Sequence, residues 1–126
     1  VDVVAQPDEL ASSSRRWQSA GETVGIVPTM GALHLGHSSL IEAARSVADR
    51  VVVSIFVNPI QFDDRRDFEA YPDTLDDDLA MCRSLGVDVV YRPTVDVMYP
   101  SGFATSVHVA GLTDRWEGAD RPGHFD

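Results

Sequence analysis

The stretch that decides the fold is residues 25–45, GIVPTMGALHLGHSSLIEAAR. It opens on a short apolar, β-branched run and closes on a helical pattern. Between them lie two glycines, Gly31 and Gly36, and two histidines, His34 and His37. Glycine lets another backbone or a flat ligand approach closely. A helix beginning near His37 offers free N–H groups and a partial positive charge. Imidazoles at such a place can donate hydrogen bonds to phosphate oxygens and to charge that builds during a reaction. A nucleoside triphosphate is therefore a natural guest. Two other readings compete. The histidines could be plain loop and helix-start residues, or a metal pair that still needs a third ligand, with His108 and His124 far off in sequence. The placement after a strand and before a helix favours the nucleotide.

Outward from this stretch, residues 23–29 (TVGIVPT) read as a buried strand between Gly21 and Pro28. Over residues 38–49 the apolar positions Leu40, Ile41, Ala44, Val47 and Ala48 share one helical face. RVVVSIFV, residues 50–57, is apolar with little alternation, as a strand covered on both faces should be. Residues 7–20 predict a helix closed by Gly21 and anchored by Leu10 and Trp17. A further helix is expected to start at Pro72 and end at Gly86, with Asp76, Asp77 and Asp78 near its first turns as a solvated face. VDVVY at 87–91 is a third strand, and the alternating TSVHVAG at 105–111 reads as a half-exposed one.

Strand, helix, strand, helix, strand is the βαβαβ half of a doubly wound parallel sheet, an α/β, Rossmann-like fold. Right-handed crossovers place the three strands side by side, with the GIVPT strand at one end of the trio. Ligands of such sheets bind beyond the carboxyl ends of the strands. PTMGALHLGH and NPIQF both lie there.

The composition narrows the function classes. The chain has 126 residues, of which 44% are hydrophobic and 24% charged, ordinary values for one globular domain. No apolar run approaches a membrane span and no signal-like segment opens the sequence, so a cytoplasmic protein without a membrane partner is expected. A net charge of −10 argues against a nucleic-acid partner. The single cysteine, Cys82, sits among Leu75, Leu79 and Leu85 at helical spacing and reads as a small buried apolar residue. All ten basic residues are arginines. The lack of lysine is unusual for a chain that handles phosphates.

PTMGALHLGH resembles the HIGH signature of class I aminoacyl-tRNA synthetases and related nucleotidyltransferases. VPTMGALHLGH, VVVSIFVNPIQF, YPDTLDDDL, YPSG and EGADRPGHF together look like the N-terminal part of the pantothenate synthetase (pantoate–β-alanine ligase) family. The resemblance implies a sheet of the HIGH-motif nucleotidyltransferase type, incomplete in this chain. It implies that ATP and pantoate form pantoyl adenylate and pyrophosphate, that β-alanine then yields pantothenate and AMP, and that Mg2+ assists with the phosphates. The ATP segment falls on Met30, Gly31, Ala32, Leu33, His34, Leu35, Gly36 and His37. The catalytic proton donor falls on His37, with His34 as its phosphate-binding partner. Gln61 falls on the glutamine that binds pantoate and β-alanine. Phe56 and Asn58 are candidates for the same pocket, with Pro28, Thr29 and Met30 as its opposite wall and Tyr71 as a weaker candidate. No residue is implied as a metal ligand. Arg121 and His124 are read as structural.

The family implies further segments after EGADRPGHF: the second half of the nucleotide-binding domain, with its phosphate-binding lysine, and a small C-terminal domain. Residues 1–126 are thus expected to be the N-terminal part of that domain, inactive in isolation. In the complete sheet another strand would flank GIVPT. Without it that edge is expected to associate with other chains. The full-length family is expected to be homodimeric through a different surface. Alternatives are another HIGH-motif nucleotidyltransferase, against which VNPIQF speaks, and a non-catalytic self-associating module.

Overall fold

The computed structural model describes residues 1–124. Phe125, which ends the EGADRPGHF block, and Asp126 lie outside the described residues. The chain runs β1 (Asp2–Val4), α1 (Pro7–Ser19), β2 (Val24–Thr29), α2 (Leu35–Val47), β3 (Arg50–Ile55), a 3-10 turn (Pro59–Gln61), α3 (Arg65–Glu69), α4 (Leu75–Ser84), β4 (Val89–Tyr91), α5 (Val95–Met98) and α6 (Glu117–Asp120). The four strands form one parallel sheet in the order β1-β4-β3-β2. As the sequence predicts, β2, β3 and β4 lie side by side with β2 at one end. The fourth strand, β1, is an addition to that expectation. Three residues carry too little pattern to show in a sequence, and β1 exists because β4 offers an edge for it to pair with.

β3 is the centre of the core. Val51, Val53 and Ile55 point to one face and Val52 to the other, and all four are buried. This explains the continuous apolar run, since a strand covered on both faces needs no polar side. On the Val53 face α2 and α4 contribute Ile41, Leu79 and Cys82 to the cluster that holds Val27 and Val90. Cys82 is fully buried there, as its setting among leucines indicates, and burial raises its thiol pKa. α2 lies close on β2: a Cβ on Gly25 would stand 3.2 Å from the Ala48 Cβ.

Polar groups pin the amino end of the sheet. The Arg50 guanidinium donates to both Glu22 carboxylate oxygens, at 2.9 and 3.1 Å, and to Asp88 Oδ1 at 3.2 Å. It also lies over the Trp17 ring, 5.4 Å from its centroid, which docks α1. Asp88 Oδ2 accepts the Val51 N–H at 2.8 Å. One arginine therefore joins α1, the start of β2, β3 and the turn before β4.

Three expectations need correction. TSVHVAG at 105–111 is not a strand; it is exposed throughout, and among the described residues no strand pairs with it. Both of its alternating faces are exposed, and alternation alone does not make a strand. The fourth helix starts at Leu75, not Pro72, because Thr74 is still non-helical and its hydroxyl donates to Asp78 Oδ2. The second helix starts at Leu35 and ends at Val47, so His37 lies within its first turn.

Among the described residues β2 has only β3 as a neighbour, and Ile26 on it is 58% exposed. No helix of these residues is long and apolar enough to cross a membrane.

The central place of β3 can be tested by truncation. Val53→Ala should lower unfolding free energy by about 2 kcal/mol in urea titrations. An unchanged midpoint would contradict a core centred on β3.

Candidate active site

The loop from β2 to α2 is where the fold turns into a site. It passes through two consecutive left-handed residues, Gly31 (φ 85°) and Ala32 (φ 51°). Gly31 is required there: besides its positive φ, a Cβ would meet Asp78 Oδ2 and Ile55 Cγ2 at 3.2 Å each. Ala32 has no such freedom, and a non-glycine residue in this region persists only when its surroundings hold it.

Asp78 is what holds it. Its side chain comes from α4, is only 3% exposed, and grips the loop from 46 residues away in sequence. Oδ2 accepts the Ala32 N–H at 3.0 Å and Oδ1 the Leu33 N–H at 2.8 Å. Thr74 Oγ1 adds a third bond at 3.2 Å. The expected solvated acidic face is thus correct for Asp76 and Asp77, which are exposed, and wrong for Asp78. Asp78 points inward because two loop N–H groups with no strand or helix partner need a buried acceptor.

The loop delivers His34 to the N-cap of α2 and His37 to its first turn. The two imidazoles and the main chain cap each other. His34 Nδ1 accepts the Gly36 N–H at 3.0 Å, and His37 Nδ1 accepts the His34 N–H at 3.2 Å. This is a capping box built from histidines in place of Ser/Thr and Glu. A backbone N–H can only donate, so each Nδ1 must carry a lone pair. The proton of each neutral ring is then on Nε2, leaving two Nε2–H donors for a ligand. The ring centroids are 4.2 Å apart. Gly36 is explained by the same geometry: a Cβ there would lie 2.8 Å from His34 Cε1, so any side chain would push the capping ring away.

His37 has its pKa lowered, first by burial and then by the neighbouring His34, with the negative Asp78 opposing. Both effects disfavour a second proton on the ring. His37 therefore stays neutral to lower pH than a free histidine, which keeps Nδ1 available as the cap.

Beyond the loop a cleft of about 630 Å³ opens. It brings together Pro28, Thr29, Met30, His37, Phe56, Asn58 and Gln61, with Leu10, Ile26, Ser54, Tyr91, Pro93 and Met98 completing the wall. Every one of the candidates Pro28, Thr29, Phe56, Asn58 and Gln61 is in this lining. Of the Met30-to-His37 segment, Met30 and His37 reach it. Gly31, Ala32 and Leu33 form the loop behind, and His34, Leu35 and Gly36 are exposed around the start of α2. Tyr71 belongs instead to an adjoining cavity of about 410 Å³, shared through Met30, Phe56 and Pro93.

Gln61 sits at the end of the 3-10 turn, which Asn58 organises: its Oδ1 accepts the Ile60 N–H at 3.2 Å. The Gln61 carbonyl accepts from Arg121 Nη1 at 3.1 Å, and Arg121 Nε pairs with Glu117 at 3.1 Å. Arg121 thus ties the α6 region to the turn, in line with a structural reading. The His124 N–H closes a turn on the Arg121 carbonyl, and His108 Nδ1 lies 3.0 Å from Thr113 Oγ1. Neither histidine joins His34 and His37. Among the described residues no group of three or more His, Cys, Asp or Glu converges as a metal site. Sequence reasoning missed the inward-facing role of Asp78. The only sequence signal for Asp78 was an acid one turn into a helix, on the apolar side beside Leu79 and Cys82.

Both the clamp and the cap can be measured. Asp78→Asn sets an NH2 or a lost acceptor against the loop N–H groups and should cost about 1–3 kcal/mol of stability, while Asp77→Asn, on the exposed face, should stay within about 0.5 kcal/mol. Equal losses in denaturant titrations would contradict the loop clamp. Because the folded-state pKa of His37 lies below its unfolded value, this group's contribution to stability is present above pH 6.5 and is lost as pH falls through the folded pKa. The His34 amide resonance should accordingly move with a midpoint below 6.5; a midpoint at or above it would contradict the cap.

The chain is similar to known proteins along nearly its whole length. The family model for pantoate-beta-alanine ligase matches residues 2–126. A pantothenate synthetase of Dinoroseobacter shibae is 57% identical over 125 residues, covering 99% of this chain and 44% of that protein. One from Mycobacterium sp. (strain KMS) is 53% identical over 126 residues, 99% of this chain and 40% of its own. Among solved structures, pantothenate synthetase from Thermus thermophilus superposes with a TM-score of 0.89 at 48% identity, over 99% of this chain and 44% of that one. Pantoate-beta-alanine ligase from Francisella tularensis, solved in complex with beta-gamma ATP and beta-alanine, gives 0.89 at 40% identity, over 99% and 48%. The chain spans less than half the length of the curated relatives it matches. A match along nearly its whole length places the chain in the pantoate-beta-alanine ligase family.

Proposed function

We propose that this chain supplies the ATP- and pantoate-binding part of an ATP-dependent ligase that joins pantoate to β-alanine through pantoyl adenylate. It corresponds to the N-terminal part of a nucleotide-binding Rossmann-like domain. The rest of that domain and a small C-terminal domain complete the enzyme, which works as a cytoplasmic homodimer. The observation that carries the reading is the single cleft in which His37, Gln61, Asn58 and the Pro28–Thr29–Met30 wall meet.

The chemistry needs no enzyme nucleophile. A pantoate carboxylate oxygen attacks the α-phosphorus of ATP; that P–O bond forms as the bond to the β-phosphate oxygen breaks and pyrophosphate leaves. The neutral amine of β-alanine then attacks the acyl carbon. The C–N bond forms, the C–O bond to AMP breaks, and the amine gives up a proton to solvent. The protein's work is positioning and charge stabilisation. His34 and His37 offer Nε2–H donors to phosphate oxygens beside the N-terminus of α2, where main-chain N–H groups add to the positive field. His37, held neutral by burial, can donate to developing charge without clamping pyrophosphate. Gln61 offers both a donor and an acceptor, suited to a hydroxyl and a carboxylate. Mg2+ is part of the proposal as a phosphate-bound ion. The described residues gather no acidic cage for it. Mg2+ is commonly held by substrate phosphates and water, where it would offset phosphate charge.

In the full-length protein, His37→Ala should lower adenylate formation about 10²–10³-fold while ATP affinity changes little. Gln61→Ala should raise the KM of pantoate and β-alanine about tenfold and spare ATP. Rapid-quench assays and calorimetric titration separate these effects. A His37→Ala loss confined to the KM for ATP, or normal pantoate affinity in Gln61→Ala, would contradict the roles.

A further inference from the structure

Asn58 lies in the cleft, and its carboxamide has one orientation the main chain permits. The Ile60 N–H, 3.2 Å from one terminal atom, can only donate, so that atom is Oδ1. The Tyr99 hydroxyl lies 2.8 Å from the same atom and must therefore also donate to it. Both lone pairs of Oδ1 are then engaged from within the fold. Among the described residues no further side-chain bond of Asn58 exists, which leaves the two N–H bonds of Nδ2 as what this side chain has to offer.

Tyr99 is well placed to impose this. It caps α5, where its N–H donates to the Val95 carbonyl at 2.8 Å. Its ring packs edge-on against Phe103 at 4.9 Å and lies 6.2 Å from Phe56, itself a cleft residue. The hydroxyl reaches across 41 residues of sequence to a turn that Asn58 otherwise caps only locally. A lone Asx turn would let the carboxamide swing once the Ile60 bond opened. The second bond holds it.

We propose that Tyr99 is a positioning residue of this site: its hydroxyl locks the Asn58 carboxamide so that Nδ2 is presented as a double donor to an anionic group of the ligand, the carboxylate of the acid substrate. This rests on the ligase reading for the identity of the ligand, but not for the lock itself. Tyr99 does not touch the reacting atoms. It acts through Asn58, and Asn58 and His37 together make the polar lining of the cleft rich in donors, the complement of a carboxylate meeting a phosphate.

The test uses the full-length protein and the variants Tyr99→Phe, which keeps the ring and loses one hydroxyl, and Asn58→Asp, which keeps the capping oxygen and loses both donors. The first readout is the Asn58 side-chain NH2 resonance pair, which reports the lock whatever the ligand. In Tyr99→Phe it should shift and show raised mobility, while thermal stability falls by no more than a few degrees. An unchanged pair would overturn the lock. The second readout is steady-state kinetics. Tyr99→Phe should raise the KM for pantoate about five- to tenfold, the order expected for one lost hydrogen bond, with the KM for ATP within about twofold. Asn58→Asp, which sets a charge against the carboxylate, should lose more than Tyr99→Phe. A pantoate KM unchanged in Tyr99→Phe, or pantoate and ATP affected equally, would overturn the positioning role. If the unaltered protein turns over no pantoate with ATP, the ligase reading fails, and the NH2 resonances still decide whether Tyr99 locks Asn58.

Discussion

The site depends on one buried carboxylate. Between β2 and α2 the chain must turn through Gly31 and Ala32 in the left-handed region, with the Ala32 and Leu33 N–H groups facing the interior. Left alone, these groups would be buried donors without acceptors, at about 1–3 kcal/mol each. Asp78 accepts both. The bond pair fixes where α2 begins, and the beginning of α2 fixes where His34 and His37 stand. An acid on α4, whose fellow acids Asp76 and Asp77 face solvent, thereby sets the position of two imidazoles on another helix.

The histidine pair combines two tasks in one arrangement. A helix N-terminus has free N–H groups, and serine or aspartate usually caps them. Here the caps are the imidazoles themselves, each through Nδ1. Stabilising the helix also prepares the ligand donors, because a capped Nδ1 forces the proton to Nε2. The cost is a glycine at position 36, since the folded-over His34 ring occupies the space of any Cβ. The pattern His34, Leu35, Gly36, His37 is then a steric and hydrogen-bonding unit, with the exposed Leu35 as its freest member.

Much of this was legible in the sequence. The apolar run of β3, the helical face from Leu40 to Ala48 and the strand–loop–helix setting of the histidines gave the α/β order and the end position of β2. Pro28, Thr29, Met30, His37, Phe56, Asn58 and Gln61 do share one cleft. What was not legible depends on partners distant in the chain. β1 is a strand only because β4 accepts it. Residues 105–111 alternate well enough for a strand, yet lie exposed and outside the sheet among the described residues. Asp78 shares its residue type with Asp76 and Asp77 and differs from them only in facing the loop. Tyr99 lies 41 residues from Asn58, and no spacing rule connects them.

The most direct measurement is hydrogen exchange at the Ala32 and Leu33 amides. Both belong to a loop and to no strand or helix, and loop amides ordinarily exchange fast. If Asp78 holds them, they should be protected to a degree comparable with the amides of β3, and the protection should collapse in Asp78→Asn. Fast exchange of Ala32 and Leu33 in the unaltered protein would contradict the account, because the loop, the start of α2 and the two histidines would then have no common anchor.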